Sequence, residues 1–285
     1  MSDVIALAFD FDDTLTDDST TQLLRKAGVN ADQFWGEKVA GRIADGWDPT
    51  LAFVQEFLAL TKAGQPLAGL NSQKLNDFGR TLTFYPGLPD IFADLRTIAA
   101  EFRLTQPRIE VYVISGGFED IIRGSSLAKE LTAFWGVACA ADETDTIAHP
   151  KRVVDFTTKT RYLFEINKGL AHEGRKNPFL VNESIPEERR RVPFENIIYC
   201  GDGLTDVAAF SVVQSRGGMT FGLFDPKNRN GLRRSWEKFL KPHRVGNMCS
   251  PRYRADDDLG ALLRMAVLSI CERLEAIARI PDGKQ

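Results

Sequence analysis

Four apolar runs of strand length stand out along the chain, and each ends in a polar turn. They lie at residues 4–9, 110–114, 196–200 and 218–224. Helix-like stretches follow or separate them, at about 88–102, 119–135, 159–171, 206–214 and, as a final amphipathic helix, 256–279. Strands that alternate with helices predict the α/β class: a doubly wound, mostly parallel sheet with helices on both faces.

The segment between the first and second strands breaks this alternation. It has helix-like pieces near residues 20–26, 31–44, 50–61 and 72–81, separated by Gly and Pro residues. We therefore predict two units. An α/β core comprises residues 1–16 and 85–285, and a small α-helical cap domain, residues 17–84, is inserted after the first strand.

Two carboxylates follow the first apolar run, in the segment that contains Asp10, Asp12 and Thr14. Like charges this close raise each other's pKa unless a cation lies between them, and hard ions such as Mg²⁺ bind carboxylate oxygens. A solvated turn is the alternative, because Asp favours turns. A calcium loop is not supported, since Leu15 and Thr21 stand where that loop needs Gly and Glu.

Composition narrows the classes of function. The 285 residues are 43% hydrophobic and 26% charged, with a net charge of -3, which is ordinary for a soluble globular protein. This charge gives no attraction to nucleic acid or anionic membranes. The four cysteines show no CxxC spacing. No signal peptide or membrane-length apolar run is visible, so we expect a cytoplasmic protein with no nucleic-acid or membrane partner and leave its oligomeric state open.

Two further polar turns follow the second and third apolar runs. Ser115-Gly116-Gly117-Phe118 comes after one, and the segment from Gly201 to Asp206, with Asp202 inside it, comes after the other. In parallel sheets the ligand lies off the carboxyl ends of the strands. We therefore expect the turns at 10, 115 and 202 to converge on one site.

These three motifs, in this order, resemble those of the haloacid dehalogenase-like superfamily. More narrowly they are similar to its phosphoserine phosphatase-like branch, in which Ser-Gly-Gly-Phe also occurs. The resemblance implies a Rossmann-like core with a helical cap after the first strand. It also implies Mg²⁺-dependent hydrolysis of a small phosphomonoester, a phosphorylated metabolite, through an aspartyl-phosphate intermediate.

The turn residues suit this chemistry. Asp10 would attack phosphorus, and Asp12 would protonate the leaving oxygen and then activate water. Thr14 would orient Asp12 or the loop, or would only be a helix-entry residue. Ser115 and the Gly116 amide would bind a phosphoryl oxygen, because a Gly-rich turn from strand to helix points its N–H groups at anions.

A cation must complete the phosphate cradle. Lys159 occupies the place that the family resemblance implies, between the second and last motifs, and Lys151 and Lys168 are less well placed rivals.

The resemblance also implies a metal site formed by the Asp10 carboxylate, the Asp12 backbone carbonyl and Asp202. Asp206, four residues further on, would be a direct ligand, a water-mediated ligand or a helix cap.

The chain departs from the phosphoserine-specific pattern at two positions. Ser19 stands where those members carry Glu, and Thr205 stands where they carry Asn. We therefore do not expect phosphoserine as substrate. Asp18 could still reach a substrate amine, and Arg42 is a candidate anion contact in the predicted cap.

Two rival functions stay open. One is a phosphomutase or phosphotransferase of the same fold, since Asp12 serves that chemistry equally. The other is a non-catalytic phospho-ligand sensor, which would normally have lost catalytic residues that this chain keeps.

Overall fold

The computed structural model describes residues 3–226, 232–233 and 235–280. The two ends of the predicted core, residues 1–2 and 281–285, are outside this range. Within the described residues one seven-stranded sheet has the order β4-β3-β2-β1-β5-β6-β7. Its strands are β1 Val4–Phe9, β2 Arg108–Phe118, β3 Ala133–Ala141, β4 Ile147–Arg152, β5 Ile197–Gly201, β6 Met219–Leu223 and β7 Asn247–Cys249.

The sheet is parallel apart from one pair. β4 pairs antiparallel with β3, and every other neighbouring pair is parallel. The predicted doubly wound, mostly parallel α/β fold is therefore confirmed.

Helices fill the connections. The described α-helices are α1 Ser19–Lys26, α2 Ala31–Gln33, α3 Ala40–Ala44, α4 Pro49–Ala59, α5 Ser72–Gly79, α6 Asp90–Ala100, α7 Glu119–Gly124, α8 Thr158–Lys168, α9 Val207–Ser215 and α10 Asp258–Ala278. Segments with π-helical hydrogen bonding cover Phe34–Val39 and Trp236–Leu240. In the part of the chain that the structure describes, none of these helices is long and apolar enough to span a membrane.

One predicted helix is wrong in its second half. The stretch predicted helical over 119–135 ends at Gly124 as α7, and Trp135 lies in β3. An apolar run such as Ala133–Ala141 does not distinguish a buried strand from a buried helix by periodicity. β4 was also missed because it is largely polar and exposed, and β7 because it has only three residues.

Both faces of β1 are buried, which explains why its sequence is a continuous apolar run. Ile5, Leu7 and Phe9 belong to one buried cluster. The alternate residues of the strand, such as Ala6, point to the opposite face and belong to another cluster. Full burial of a side chain such as Phe9 stabilises the fold by about 1.5–3 kcal/mol. The strand is thus held firmly up to Asp10, the first residue beyond its end.

The helical segment after β1 packs closely on the rest of the molecule. Helix α5 approaches α7 so closely that a Cβ atom on Gly79 would overlap the Ile121 carbonyl, and one on Gly124 would overlap Asn76. On another side, the hydroxyl of Thr61 donates a hydrogen bond of 2.9 Å to the carbonyl of Ile147 in β4. The helical segment is therefore held at two places, against helix α7 and against strand β4.

Candidate active site

Three neighbouring strands, β2, β1 and β5, bring the polar turns together. Because these strands are parallel and adjacent, their carboxyl ends share one edge of the sheet. The backbone N–H of Asp10 donates to the carbonyl of Cys200 at 2.9 Å, which extends the pairing of β1 with β5 by one residue. Asp10 and Asp202 therefore lie side by side at the strand ends.

Asp10 is a buried carboxylate with a fixed orientation. Its Oδ1 accepts a hydrogen bond from the N–H of Phe11 at 2.7 Å, and its Oδ2 lies 2.5 Å from Nζ of Lys159. Burial raises the pKa of Asp10 to about 7, although the charge of Lys159 opposes this shift. A buried carboxylate is thus placed at the edge of the sheet with a cation against it.

Lys159 lies in the first turn of α8, with its side chain 1% exposed. Its ammonium donates to Asp10 at 2.5 Å and to Oδ1 of Asp206 at 2.6 Å. Burial alone would lower the pKa of Lys159, but the two carboxylates raise it above its ordinary value. Asp155 positions this helix start, because its Oδ1 accepts from the N–H of Thr158 at 2.7 Å.

The rival lysines are not brought to this place. Lys168 donates to the backbone carbonyls of Val181 and Glu183, and Lys151 is an exposed residue of β4.

Asp206 is completely buried and engaged on both carboxylate oxygens. Oδ1 accepts from the hydroxyl of Tyr199 at 2.7 Å as well as from Lys159, and Oδ2 accepts from the N–H of Gly203 at 2.9 Å. Its side chain makes no capping bond to α9. Of its predicted roles, the cap of α9 is therefore not observed, and its principal contact is with Lys159.

Asp202 differs from Asp10 and Asp206 in its hydrogen bonding. No described residue donates a hydrogen bond to it, and burial together with the charge of Asp10 raises its pKa well above the ordinary value. One oxygen each of Asp10, Asp202 and Asp206 lie within 4.8 Å of one another. Hard oxygen donors at this spacing, one of them unpaired, fit a divalent cation.

Asp12 points toward the second motif. Its Oδ1 accepts from the N–H of Ser19 at 2.8 Å. A Cβ atom on Gly117 would overlap its Oδ2. Burial and the nearby charge of Asp18 raise the pKa of Asp12 well above the ordinary value. Asp12 is thus a buried carboxyl group beside the second motif, in surroundings that favour its protonated form.

The Ser-Gly-Gly segment lies where the pairing of β2 with β3 is interrupted, between Ile114 and Phe118. Ser115 is buried, and its Oγ accepts from the N–H of Gly117 at 2.9 Å. Gly116 is partly exposed. These residues still belong to β2, so the predicted turn is instead an irregular stretch of strand, and it lies beside Asp12.

Thr14 is buried behind this site. Its hydroxyl has no hydrogen-bond partner among the described residues, and its carbonyl accepts from the hydroxyl of Tyr253 at 2.7 Å. It does not begin a helix, since α1 starts at Ser19. The contact with Tyr253 was missed in the sequence, because nothing local links residues this far apart along the chain.

The two candidate substrate contacts lie in different surroundings. Asp18 is the N-cap of α1, and its Oδ1 accepts from the N–H of Thr21 at 2.7 Å. It lies close enough to Asp12 for its charge to raise the pKa of that carboxyl group. Arg42 forms an ion pair with Glu56, and its guanidinium lies 4.6 Å from the ring centroid of Trp47. The structure brings Asp18 to the site, whereas the partners of Arg42 are within the helical segment.

Comparison with known proteins gives relatives in both sequence and structure. No family model matches the chain. An uncharacterized protein of Borreliella burgdorferi is 27% identical over 276 residues, covering 88% of this chain and 92% of that protein.

The solved structures that it resembles share its topology at low sequence identity. A HAD family hydrolase from Salmonella enterica subsp. enterica serovar Typhi matches with a TM-score of 0.58 and 15% identity, over 93% of this chain and 71% of the other. A phosphoserine phosphatase in apo form matches with a TM-score of 0.55 and 15% identity, over 91% and 98%. A phosphoserine phosphatase solved as a phospho-aspartyl intermediate analogue matches with a TM-score of 0.53 and 15% identity, over 92% and 98%. The chain therefore has the haloacid dehalogenase-like fold in its phosphoserine phosphatase-like form.

Proposed function

We propose that this protein is a Mg²⁺-dependent phosphatase that hydrolyses a small phosphomonoester through an aspartyl-phosphate on Asp10. The observation that carries the proposal is the contact of Asp10 with the buried Lys159, beside the unpaired carboxylate of Asp202. The structures with this fold include phosphoserine phosphatases, one of them a phospho-aspartyl intermediate analogue, which supports the same chemistry here.

The reaction has two halves. In the first, a carboxylate oxygen of Asp10 forms a bond to phosphorus, the ester P–O bond breaks, and Asp12 gives its proton to the leaving alcohol oxygen. In the second, water attacks the same phosphorus while Asp12 takes its proton. Inorganic phosphate leaves, and the Asp10 carboxylate is restored. The raised pKa of Asp12 suits its role as proton donor, because burial and the nearby charge of Asp18 favour the protonated carboxyl group.

Mg²⁺ would be held by the carboxylates of Asp10 and Asp202 and by the backbone carbonyl of Asp12. Asp206 would stabilise this arrangement through its contact with Lys159. When bound, the ion neutralises charge on the phosphoryl group and orients it. Ser115 and the N–H of Gly116 would bind phosphoryl oxygens from the opposite side. Lys159 would keep Asp10 in place and offset the negative charge that gathers there.

Substrate choice is proposed to lie with residues 17–84, acting as a cap domain that excludes water from the site. Ser19 has no carboxylate to offer a substrate amine. Its backbone N–H donates to Asp12. Asp18, the residue before Ser19, is the carboxylate that we propose could contact such an amine. We therefore propose a small phosphorylated metabolite other than phosphoserine, and a reducing cytoplasmic setting for the four free cysteines.

The test is phosphate release from a panel of small phosphomonoesters, with Mg²⁺ and with chelator. Asp10→Asn should lower kcat by a factor on the order of 10³ or more, because it removes the nucleophile. Asp13→Asn is the matched control. It makes the same substitution three residues further along, at a partly solvated side chain, and should keep most of the activity. Release that needs an added acceptor alcohol would indicate a phosphotransferase instead. No release from any ester with Mg²⁺ present would refute the proposal.

A further inference from the structure

A cavity of about 550 Å³ lies where β3, β4, α7 and α8 meet. It is lined by side chains from each of these elements and from the short helical turn Glu173–Arg175. None of the residues assigned above to catalysis, phosphate binding or the metal lines it. It is therefore a separate feature of the surface, and its chemistry does not depend on the proposed phosphatase reaction.

The cavity is strongly cationic. Two acidic residues line it, Glu119 and Asp120, against five basic ones: Arg123, Lys151, Arg152, Arg161 and Arg175. Even when the nearby Glu165, which pairs with Arg161, is added to the acidic side, an excess of positive charge is left.

Glu119 is the centre of this charge cluster. Its side chain is buried, and it accepts from Nη2 of Arg123 at 2.7 Å, from Nη1 of Arg175 at 2.9 Å, and from Arg152. One carboxylate cannot satisfy the N–H donors of three guanidinium groups. With their contacts to Asp120 and to two backbone carbonyls included, the three guanidinium groups still hold donors for a further acceptor.

Two residues of the cavity lining each carry a buried donor that has no hydrogen-bond partner among the described residues. The donors are the indole N–H of Trp135 and the hydroxyl of Tyr162, and each of these side chains is 1% exposed. Their rings stack at 4.8 Å between centroids, so both are held in place. Buried donors are normally bonded, and an orphan pair beside surplus guanidinium groups indicates a missing acceptor.

We propose that this cavity binds a phosphate-bearing small molecule at a site distinct from the catalytic one. A phosphate group presents several negatively charged oxygens, which match guanidinium forks in geometry and charge. Its remaining oxygens can accept from the indole and phenol donors. The volume lies within the range of small-molecule sites, roughly 300–1,000 Å³.

The direct test is NMR of the four tryptophan indole N–H groups during titration with inorganic pyrophosphate. Chelator is present throughout, so that a metal-dependent catalytic site does not contribute, and KCl of equal ionic strength is the blank. Trp135→Phe assigns the reporter signal. The Trp135 signal should move in a saturable way on pyrophosphate addition, while those of Trp35, Trp47 and Trp236 stay in place. A Trp135 signal that does not move, or moves equally with KCl, would overturn the proposal.

Variants locate the binding independently by calorimetry. Arg161→Gln combined with Arg175→Gln should weaken pyrophosphate binding about tenfold or more, since each removes a charge-assisted donor. Arg273→Gln, of similar exposure but on α10, should bind like the native protein. Tyr162→Phe removes a single oxygen atom and should fold normally while binding several-fold more weakly. Unchanged affinity in both Tyr162→Phe and the double variant would refute the site.

Discussion

The carboxyl group of Asp12 occupies the space in which residue 117 would carry a side chain: a Cβ atom on Gly117 would overlap Oδ2 of Asp12. The second Gly of the Ser-Gly-Gly motif therefore makes room for the proposed general acid. We therefore expect this motif to position Asp12 in addition to its proposed role in binding phosphate.

Gly117→Ala should displace Asp12 and lower kcat on the order of 10²-fold, because positioned acid–base catalysis contributes about that much or more. Gly116→Ala is the matched control, since its Cβ would lie 3.6 Å from the Val154 carbonyl, an ordinary contact. Steady-state kinetics with the preferred ester measures both. Equal kcat values for the two variants would contradict this role of Gly117.

Lys159 bridges two buried carboxylates, and its removal should be costly for stability. Lys159→Met leaves Asp10 and Asp206 without their cation and should lower the free energy of unfolding by about 3–5 kcal/mol in chelator at pH 8. Adding Asp206→Asn to this variant should recover part of the loss, because one unpaired charge disappears. Urea denaturation measures both, with Lys168→Met as the control. A double variant less stable than Lys159→Met would count against the charge argument.

The metal-free protein should lose stability as pH rises from about 4 to 7. The pKa of Asp10 is about 7 in the folded chain and 3.8 ordinarily, so the folded state binds more protons within this window. Stability is greatest below the lower value and falls until the higher one is passed. We expect a loss on the order of 2 kcal/mol between pH 5 and 7.5 from this group.

Thermal denaturation in chelator at both pH values checks this expectation. Asp10→Asn should reduce the pH dependence, and saturating Mg²⁺ should offset the loss, since the ion replaces the proton as partner of the carboxylates. A melting temperature that rises between pH 5 and 7.5 in chelator would contradict the predicted direction.

Much of the fold could be predicted because β1, β2, β5 and β6 are buried and therefore continuously apolar. The polar residues that end these runs, such as Asp10 and Asp202, could be predicted to meet because parallel strands share one edge. The strand from Ala133 to Ala141 could not be predicted as a strand, because its apolar run is equally compatible with a helix. The cationic cavity was also beyond prediction, since its arginines come from separate elements and three of them meet only at the folded position of Glu119.

Contacts between distant parts of the chain carried no sequence signal. The hydrogen bond from Tyr253 to the carbonyl of Thr14 joins the residues before α10 to the segment that contains Asp12. The N–H of Tyr253 also donates to the carbonyl of Pro86, at 2.7 Å. The C-terminal part of the chain thus supports the loop that follows Asp12.

Tyr253→Phe should lower the free energy of unfolding by about 1 kcal/mol, the typical value of one hydrogen bond. It should also lower kcat more than it changes KM, because the Thr14 turn loosens behind Asp12. Tyr112→Phe is the control: its hydroxyl donates to Glu110 at 2.5 Å, away from the catalytic turns. An unchanged kcat in Tyr253→Phe together with the expected stability loss would show a purely structural contact.

The most direct measurement is the location of the phosphoryl group during turnover. The enzyme is mixed with its best ester and Mg²⁺, quenched in acid, and digested for mass spectrometry. The account predicts the added mass of one phosphoryl group on Asp10 in the peptide that follows β1, and no such mass in chelator or in Asp10→Asn. A phosphoryl group on another residue, or phosphate release that persists in Asp10→Asn, would contradict it.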